Sequence, residues 1–296
     1  MQRKGAFWSA RGAKPLWTRD NRSEARYLLL AVDIGNTNIC LGVFKDKKLL
    51  HSWRLVTNKE TTSDEYGLKI LTLLEHAHLQ TKMIKNTIVS SVVPPLTPAL
   101  IELSRKYFHC EPLVVTAETK TALKIVYPNP QEIGADRIVN AVAGYHLFGG
   151  PLIIVDFGTA TTFDCITQKG EYLGGAIAPG IAISADALYT HTAKLPKVEI
   201  MRPTRVIGRS TVESMQSGLF YGYVGLVEEL IHRCQNELSV AVGFSPPKVK
   251  VIATGGLAKL IASETKLIKE VIPNLTLEGL RLIWNYNREG VLKERR

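Results

Sequence analysis

At 296 residues the chain has the length of one large domain or two ordinary ones. Its apolar fraction of 45% suits a globular protein with a sizeable core, and the absence of any run of eighteen apolar residues argues against a membrane span. The net charge of +10 divides in two: residues 1–26 hold seven Lys and Arg against Asp20 and Glu24, and the remaining +5 is ordinary for an enzyme of anionic substrates. Aromatic residues are not interleaved with the basic ones, so nucleic-acid binding is not expected. Cys40, Cys110, Cys165 and Cys234 form no C-x-x-C pair and the histidines form no metal set, His76 and His78 reading as surface or partly buried; this argues against zinc and for a reducing cytoplasm. The basic leader 1–26 shows no periodic apolar pattern and no apolar core of a secretory signal, and is expected to be disordered: an extension, an upstream start or an expression remnant.

From residue 27 the pattern is strand, turn, strand: YLLLAVDIG, then NICLGVF, then LLHSWRLV, with Lys45-Asp46-Lys47-Lys48 at a hairpin tip. Thr62 and Glu65 make a capping box for a helix whose apolar positions, Tyr66, Ile70, Leu71, Leu74 and Ala77, recur at helical spacing. TIVSSVVPP (87–95) reads as a buried strand stopped by its prolines, Pro98 to Tyr107 as a helix, and EPLVV as a short strand. YPNP (127–130) is a rigid loop leading into a helix opened at Gly134-Ala135-Asp136. The scheme then restarts. PLIIVDFGTA is a strand and turn, TTFDCIT a second strand, and GEYLGGAIAPG a glycine-rich return. Helices follow around ISADALYTHTAKL and TVESMQSGLFYGYVGLVEELIHRC, and KVKVIATGGLAKLI is a strand, a Thr-Gly-Gly turn and a helix. Asp33 and Asp156, at the two strand ends, lie 123 residues apart. The expectation is two α/β domains of similar plan, residues 27–149 and 150–296, facing a central cleft that both turns border.

The turns carry the first chemical signal. A glycine two positions past each aspartate lets backbone approach a phosphate, and the following amides and hydroxyls can donate to its oxygens. Asp33 and Asp156 would repel phosphate directly; each either holds a cation or cation-bound water, or simply stabilises its turn. Neither G-x-x-x-x-G-K-[ST] nor G-x-G-x-x-G occurs, so a nucleotide must be held in another way. Asp136 has two readings, a helix N-cap or a general base where the domains meet, with Arg137 as a planar fork for a carboxylate or phosphate. Asp164 reads as structural. Ser210 or Thr211 caps the helix that follows, and the local pattern leaves any further role of Thr211 open.

In order and spacing, DIGNTN (33–38), SSVVPP (90–95), YPNP (127–130), GADR (134–137), DFGTATTFD (156–164), GGAIAPG (174–180), IGRSTVESMQSG (207–218) and TGGLA (254–258) resemble the type III pantothenate kinases. These are a branch of the superfamily of actin, the heat-shock chaperone ATPases and the sugar kinases, and the resemblance runs from about Leu28 to Asn287. It implies an α/β fold of two similar actin-like (ribonuclease H-like) domains. It implies that Asp33, Ile34, Gly35, Asn36, Thr37, Asn38, Ile39 and Cys40 form the first phosphate turn around ATP, that Thr159 contacts ATP from the second, and that Asp156 holds a monovalent cation, K+ or NH4+. Tyr127, Gly134, Ala135, Asp136, Arg137 and Thr211 would line the pantothenate pocket, with Asp136 the proton acceptor.

The implied activity is ATP- and Mg2+-dependent phosphorylation of pantothenate to 4′-phosphopantothenate, the first step of coenzyme A synthesis. The resemblance also implies a homodimer whose partner subunit partly closes the pocket. Two alternatives stand beside this reading: another small-molecule kinase on the same fold, and a non-catalytic regulatory module, since relatives have been described as accessory factors to transcription. The intact Asp136-Arg137 pair argues against the second.

Overall fold

The structure, a computed structural model, describes residues 27–240 and 249–294; the leader 1–26 lies outside them. The described chain opens with a meander, Leu28–Ile34 (β1), Asn38–Lys45 (β2) and Lys48–Val56 (β3). Every β1 residue except Asp33 is buried, as a strand covered on both faces requires, while β3 is largely open and forms an edge. Ser63–His76 (α1) begins at the expected capping box, where Glu65 Oε2 accepts from the Thr62 amide at 2.9 Å and the Thr62 hydroxyl accepts from the Glu65 amide. It buries Tyr66, Ile70 and Leu74 in one core with β1 and β2. Ile84–Ser91 (β4) runs parallel to β1, Thr97–Phe108 (α2) packs beside α1, and Leu113–Val114 (β5) completes a sheet of order β3-β2-β1-β4-β5.

The chain then passes Lys124–Ile125 (β6) and enters Ala135–Phe148 (α3). Leu152–Phe157 (β7), Ala160–Ile166 (β8) and Glu171–Pro179 (β9) repeat the meander, so the glycine-rich return is a full strand. After Ile181–Thr190 (α4) and Thr211–Val240 (α5) come Lys250–Gly255 (β10), Ala258–Ala262 (α6), Glu270–Val271 (β11) and Leu275–Glu294 (α7). The second sheet has the order β11-β10-β7-β8-β9-β6. Without β6 it is the first sheet again: its central strand pairs antiparallel with the next strand and parallel with the one after the crossover. The protein is thus a mixed α/β fold of two like-ordered sheets.

Two segments cross a cut at Gly149-Gly150. β6 precedes it yet pairs with β9 in the second sheet. α7 follows it yet packs on α3 and the first sheet, burying Leu277, Leu280 and Ile283 with Leu29, Phe44 and Val139. Gly279 permits that approach, because a Cβ there would collide with the Val139 carbonyl. α3 is buried on opposite faces: Val139 and Val142 join the α7 and first-sheet core, and Ile138 and Ala141 join a core with β7 and β8. Wedged between the two layers, α3 delivers its first turn to the cleft.

Candidate active site

Register places the two aspartates on matching rungs. Asp33 pairs with Cys40 on β2 and Ser90 on β4; Asp156 pairs with Thr162 on β8 and Thr254 on β10. Each strand then closes a tight turn, Gly35 N donating to Asn38 O at 3.0 Å and Gly158 N to Ala160 O at 3.1 Å. The turns meet: the Thr37 and Thr159 hydroxyls are 2.7 Å apart across the cleft. Both border one cavity of about 510 Å³, lined also by Thr254, Gly255 and Gly256. Gly255 adopts φ 93°, a left-handed backbone that glycine alone takes cheaply, and so turns β10 away beside Asp156.

Asp136 opens into the same cavity. It is not the N-cap of α3. Gly134 occupies that position, and Asp136 lies within the first turn, its Oδ1 accepting from the Arg137 amide at 2.8 Å. Burial raises its pKa despite that hydrogen bond and the Arg137 charge. Asp33 and Asp156 are each pushed up to about 7, first by burial and then by the charge of Asp136. Three carboxylates facing one cavity make a site that attracts cations.

The two strand-end aspartates are held differently. Asn140 Nδ2 donates to Asp156 Oδ2 at 2.9 Å, and Thr276 Oγ1 donates to Asn140 Oδ1 at 2.8 Å, which fixes the amide with its nitrogen toward the carboxylate. Asp33 Oδ1 is buried and makes no well-formed hydrogen bond, although the neighbouring Ser90 hydroxyl is near enough to lower the carboxyl's pKa against the effect of burial.

Arg137 does not line the cavity. Its Nε donates to Asp164 Oδ1 at 2.7 Å, with the two side chains 10% and 0% exposed. The Tyr172 hydroxyl donates to the same oxygen at 2.8 Å, and the Thr162 hydroxyl to Oδ2 at 3.2 Å. Removing Asp164 would strand a buried guanidinium, a loss of about 3–5 kcal/mol. Arg137 Nη2 remains buried and unpartnered.

Of the residues singled out from sequence, Asp33, Gly35, Asn36, Thr37, Asn38, Cys40, Asp136, Asp156 and Thr159 come together around the cavity. Ile34 and Ile39 lie in the core beneath the first turn, so only their backbone faces a ligand. Tyr127, Gly134, Ala135, Arg137 and Thr211 do not line it. Gly134 and Ala135 frame Asp136 at the start of α3, and the Tyr127 ring lies against Gly174 of β9. Thr211 is exposed at the head of α5, where Ser210 is the capping residue, its hydroxyl accepting from the Glu213 amide at 3.2 Å. Sequence reading missed Asn140, Thr276 and Arg54. Asn140 had a signal: it stands four residues after Asp136 in an otherwise apolar helix segment, hence one turn along the same face.

The description "type III pantothenate kinase" belongs to the family whose model matches residues 29–233. Type III pantothenate kinases from Geobacter sulfurreducens and Geobacillus kaustophilus are 54% and 53% identical over 262 residues, covering 88% of this chain and 100% and 99% of theirs. Among solved structures, a Baf family protein from Campylobacter jejuni described as a transcriptional activator superposes with a TM-score of 0.53 at 19% identity, covering 88% of this chain and 99% of that one. That likeness speaks to the fold. With a family match across more than half its length and relatives aligned almost end to end, the chain belongs to the type III pantothenate kinase family.

Proposed function

We propose that this protein transfers the γ-phosphoryl group of ATP to the primary hydroxyl of pantothenate, opening coenzyme A synthesis, with Asp136 accepting the hydroxyl proton. The observation that carries this is the 2.7 Å contact between Thr37 and Thr159, which brings both glycine turns to the cavity that Asp136 enters. The amides and hydroxyls of the two turns are the donors for the phosphate oxygens. A carboxylate whose pKa burial has raised is a better proton acceptor than an ordinary aspartate, and its place in the first turn of a packed helix fixes its aim. Arg137, which follows Asp136 and is anchored by Asp164, is the cation for the pantothenate carboxylate in a pocket beside this cavity, to which Tyr127 and Thr211 also belong.

The residues fit Mg2+ and a monovalent cation. Asp33 Oδ1 is an orphaned acceptor, and Asp156 is tied by Asn140 through one oxygen. Among the described residues no group of three or more His, Cys, Asp or Glu could by itself hold a metal, so ions here would complete their shells with water and phosphate oxygens. Asp156 would hold K+ or NH4+, and Asp33 would hold Mg2+ or its water. When bound, these ions offset the charge of the phosphates.

Apolar side chains stay exposed on β9, α4, the loop after α4 and the head of α5, among them Ile177, Ile183, Tyr189, Ile207 and Val212. A second copy of the chain covers this face in a homodimer and brings Thr211 to the pantothenate pocket. Elution at monomer size in a sizing experiment would contradict it. Among the described residues no helix is long and apolar enough to cross a membrane. The free cysteines suit a reducing cytoplasm, where we place the enzyme.

The test is incubation with pantothenate, ATP, Mg2+ and K+, followed by mass detection. The expected product is pantothenate heavier by one phosphoryl group. Phosphorylation of a different alcohol from a panel, with pantothenate untouched, would replace the acceptor.

A further inference from the structure

Three carboxylates line the cavity, and among its described lining residues Arg54 is the one cation. Polyphosphate entering such a site meets repulsion from Asp33, Asp136 and Asp156 and needs a fixed positive charge as well as mobile ions. Arg54 lies on β3, and register sets it beside Cys40, which in turn pairs with Asp33. Partners on one rung share a face of the sheet, so Arg54, Cys40 and Asp33 stand in a row toward the cleft. The guanidinium reaches toward the opposite layer: its Nη1 lies 3.7 Å from where a Cβ on Gly256 would be. It makes no ion pair among the described residues.

We propose that Arg54 is a positioning residue for the nucleotide, its guanidinium gripping the α- and β-phosphates between the first sheet and the Thr-Gly-Gly turn. This rests on the ATP-dependent reading above. The bland account is that a cation on an edge strand guards the sheet against pairing. Lys47 and Lys48, at the solvent-facing hairpin, already serve that purpose, whereas Arg54 borders the cavity. The rung also says which phosphates it meets. α3 packs near β4, on the far side of β1 from β3, and β3 stands two strands from β1, roughly 10 Å away. The γ-phosphoryl group must sit toward Asp136, so the phosphates near Arg54 are those that stay with ADP. A planar fork suits two such oxygens at once, and lysine supplies the charge without the fork.

Contacts to the non-transferred phosphates are made equally in the ground and transition states, so their loss appears in KM more than in kcat. The experiment compares wild type with Arg54→Gln and Arg54→Lys, measuring steady-state kinetics and equilibrium binding of Mg-ADP. For Arg54→Gln the ATP KM and the Mg-ADP Kd should both rise about 10- to 100-fold, as loss of a charge-assisted hydrogen bond predicts. The pantothenate KM and the thermal midpoint should hold, and Arg54→Lys should recover part of the binding. Mg-ADP affinity within about twofold of wild type in both variants would overturn the assignment, as would a fall in kcat at unchanged Mg-ADP affinity. Wild-type pantothenate-dependent ADP release is run alongside. Its absence would sink the kinase reading, while the Mg-ADP comparison would still judge Arg54.

Discussion

Two sheets of the same strand order flank the cleft, yet the rungs that bear their aspartates are furnished differently. Across β3-β2-β1-β4 the first rung runs Arg54, Cys40, Asp33, Ser90. Across β9-β8-β7-β10 the second runs Ile177, Thr162, Asp156, Thr254. Asp156 is clamped by Asn140, itself held by Thr276; Asp33 keeps an unpartnered oxygen. The shared topology supplies two converging turns. On the proposed reading the unequal rungs would divide the labour, the second sheet giving a rigid seat for an ion and the first an open acceptor beside Arg54.

The most drastic way to break this division is to neutralise each aspartate in turn. Asp33→Asn and Asp156→Asn should each lower kcat by about 10²–10³, the scale of losing a positioned metal ion. Only Asp156→Asn should erase the collapse of activity expected when K+ and NH4+ are replaced by Na+ or Li+. If both variants respond alike to that exchange, or if wild type is indifferent to it, the two carboxylates do not have separate duties. A gentler probe is Asn140→Ala, which frees Asp156 without removing it. The K+ concentration for half-maximal activity should rise about 10- to 100-fold, as for other residues that orient a metal ligand. Mg-ADP affinity should be unchanged.

The smallest effect is on stability. Asp33 and Asp156 rise from the usual 3.8 to about 7 in the folded, ion-free protein. The folded state therefore holds more protons than the unfolded chain between those values, and stability contributed below about pH 4 is lost as pH climbs through about 7. Thermal melts in chelator should show that decline, and K+ with Mg2+ should flatten it. A metal-free melting temperature that rises across this range would show that these carboxylates are not the destabilised pair.

Much of this was legible from residues alone. β1 and β7 announce themselves as runs too apolar for anything but central strands, each ending at an aspartate followed by glycine. The Thr62-Glu65 box marked the start of α1. α7 escaped the reading although Leu277, Leu280 and Ile283 are spaced for a helix, because Gly279 breaks the propensity there and its use, contact with the Val139 carbonyl, is invisible without α3. β6 and β11 have two residues each, too few for alternation to show. A carboxylate at a helix start serves a cap or a base equally well, so the locale of Asp136 had to come from the packing of α3 between the layers. Arg54 carries no signal in the sequence, being a single arginine in a mixed run; its rung appears only once β1, β2 and β3 are in register. Thr211 is exposed in the single chain, so its local surroundings point to no role.

The central claim is that a nucleotide seated on the paired turns presents its γ-phosphoryl group to an acceptor held by Asp136. The most direct measurement is turnover and Mg-ADP affinity of Asp136→Asn side by side with wild type. In that variant kcat should be lower by about 10²–10⁴, the usual contribution of a general base, with nucleotide affinity within about twofold. Near-normal turnover in that variant would contradict the claim.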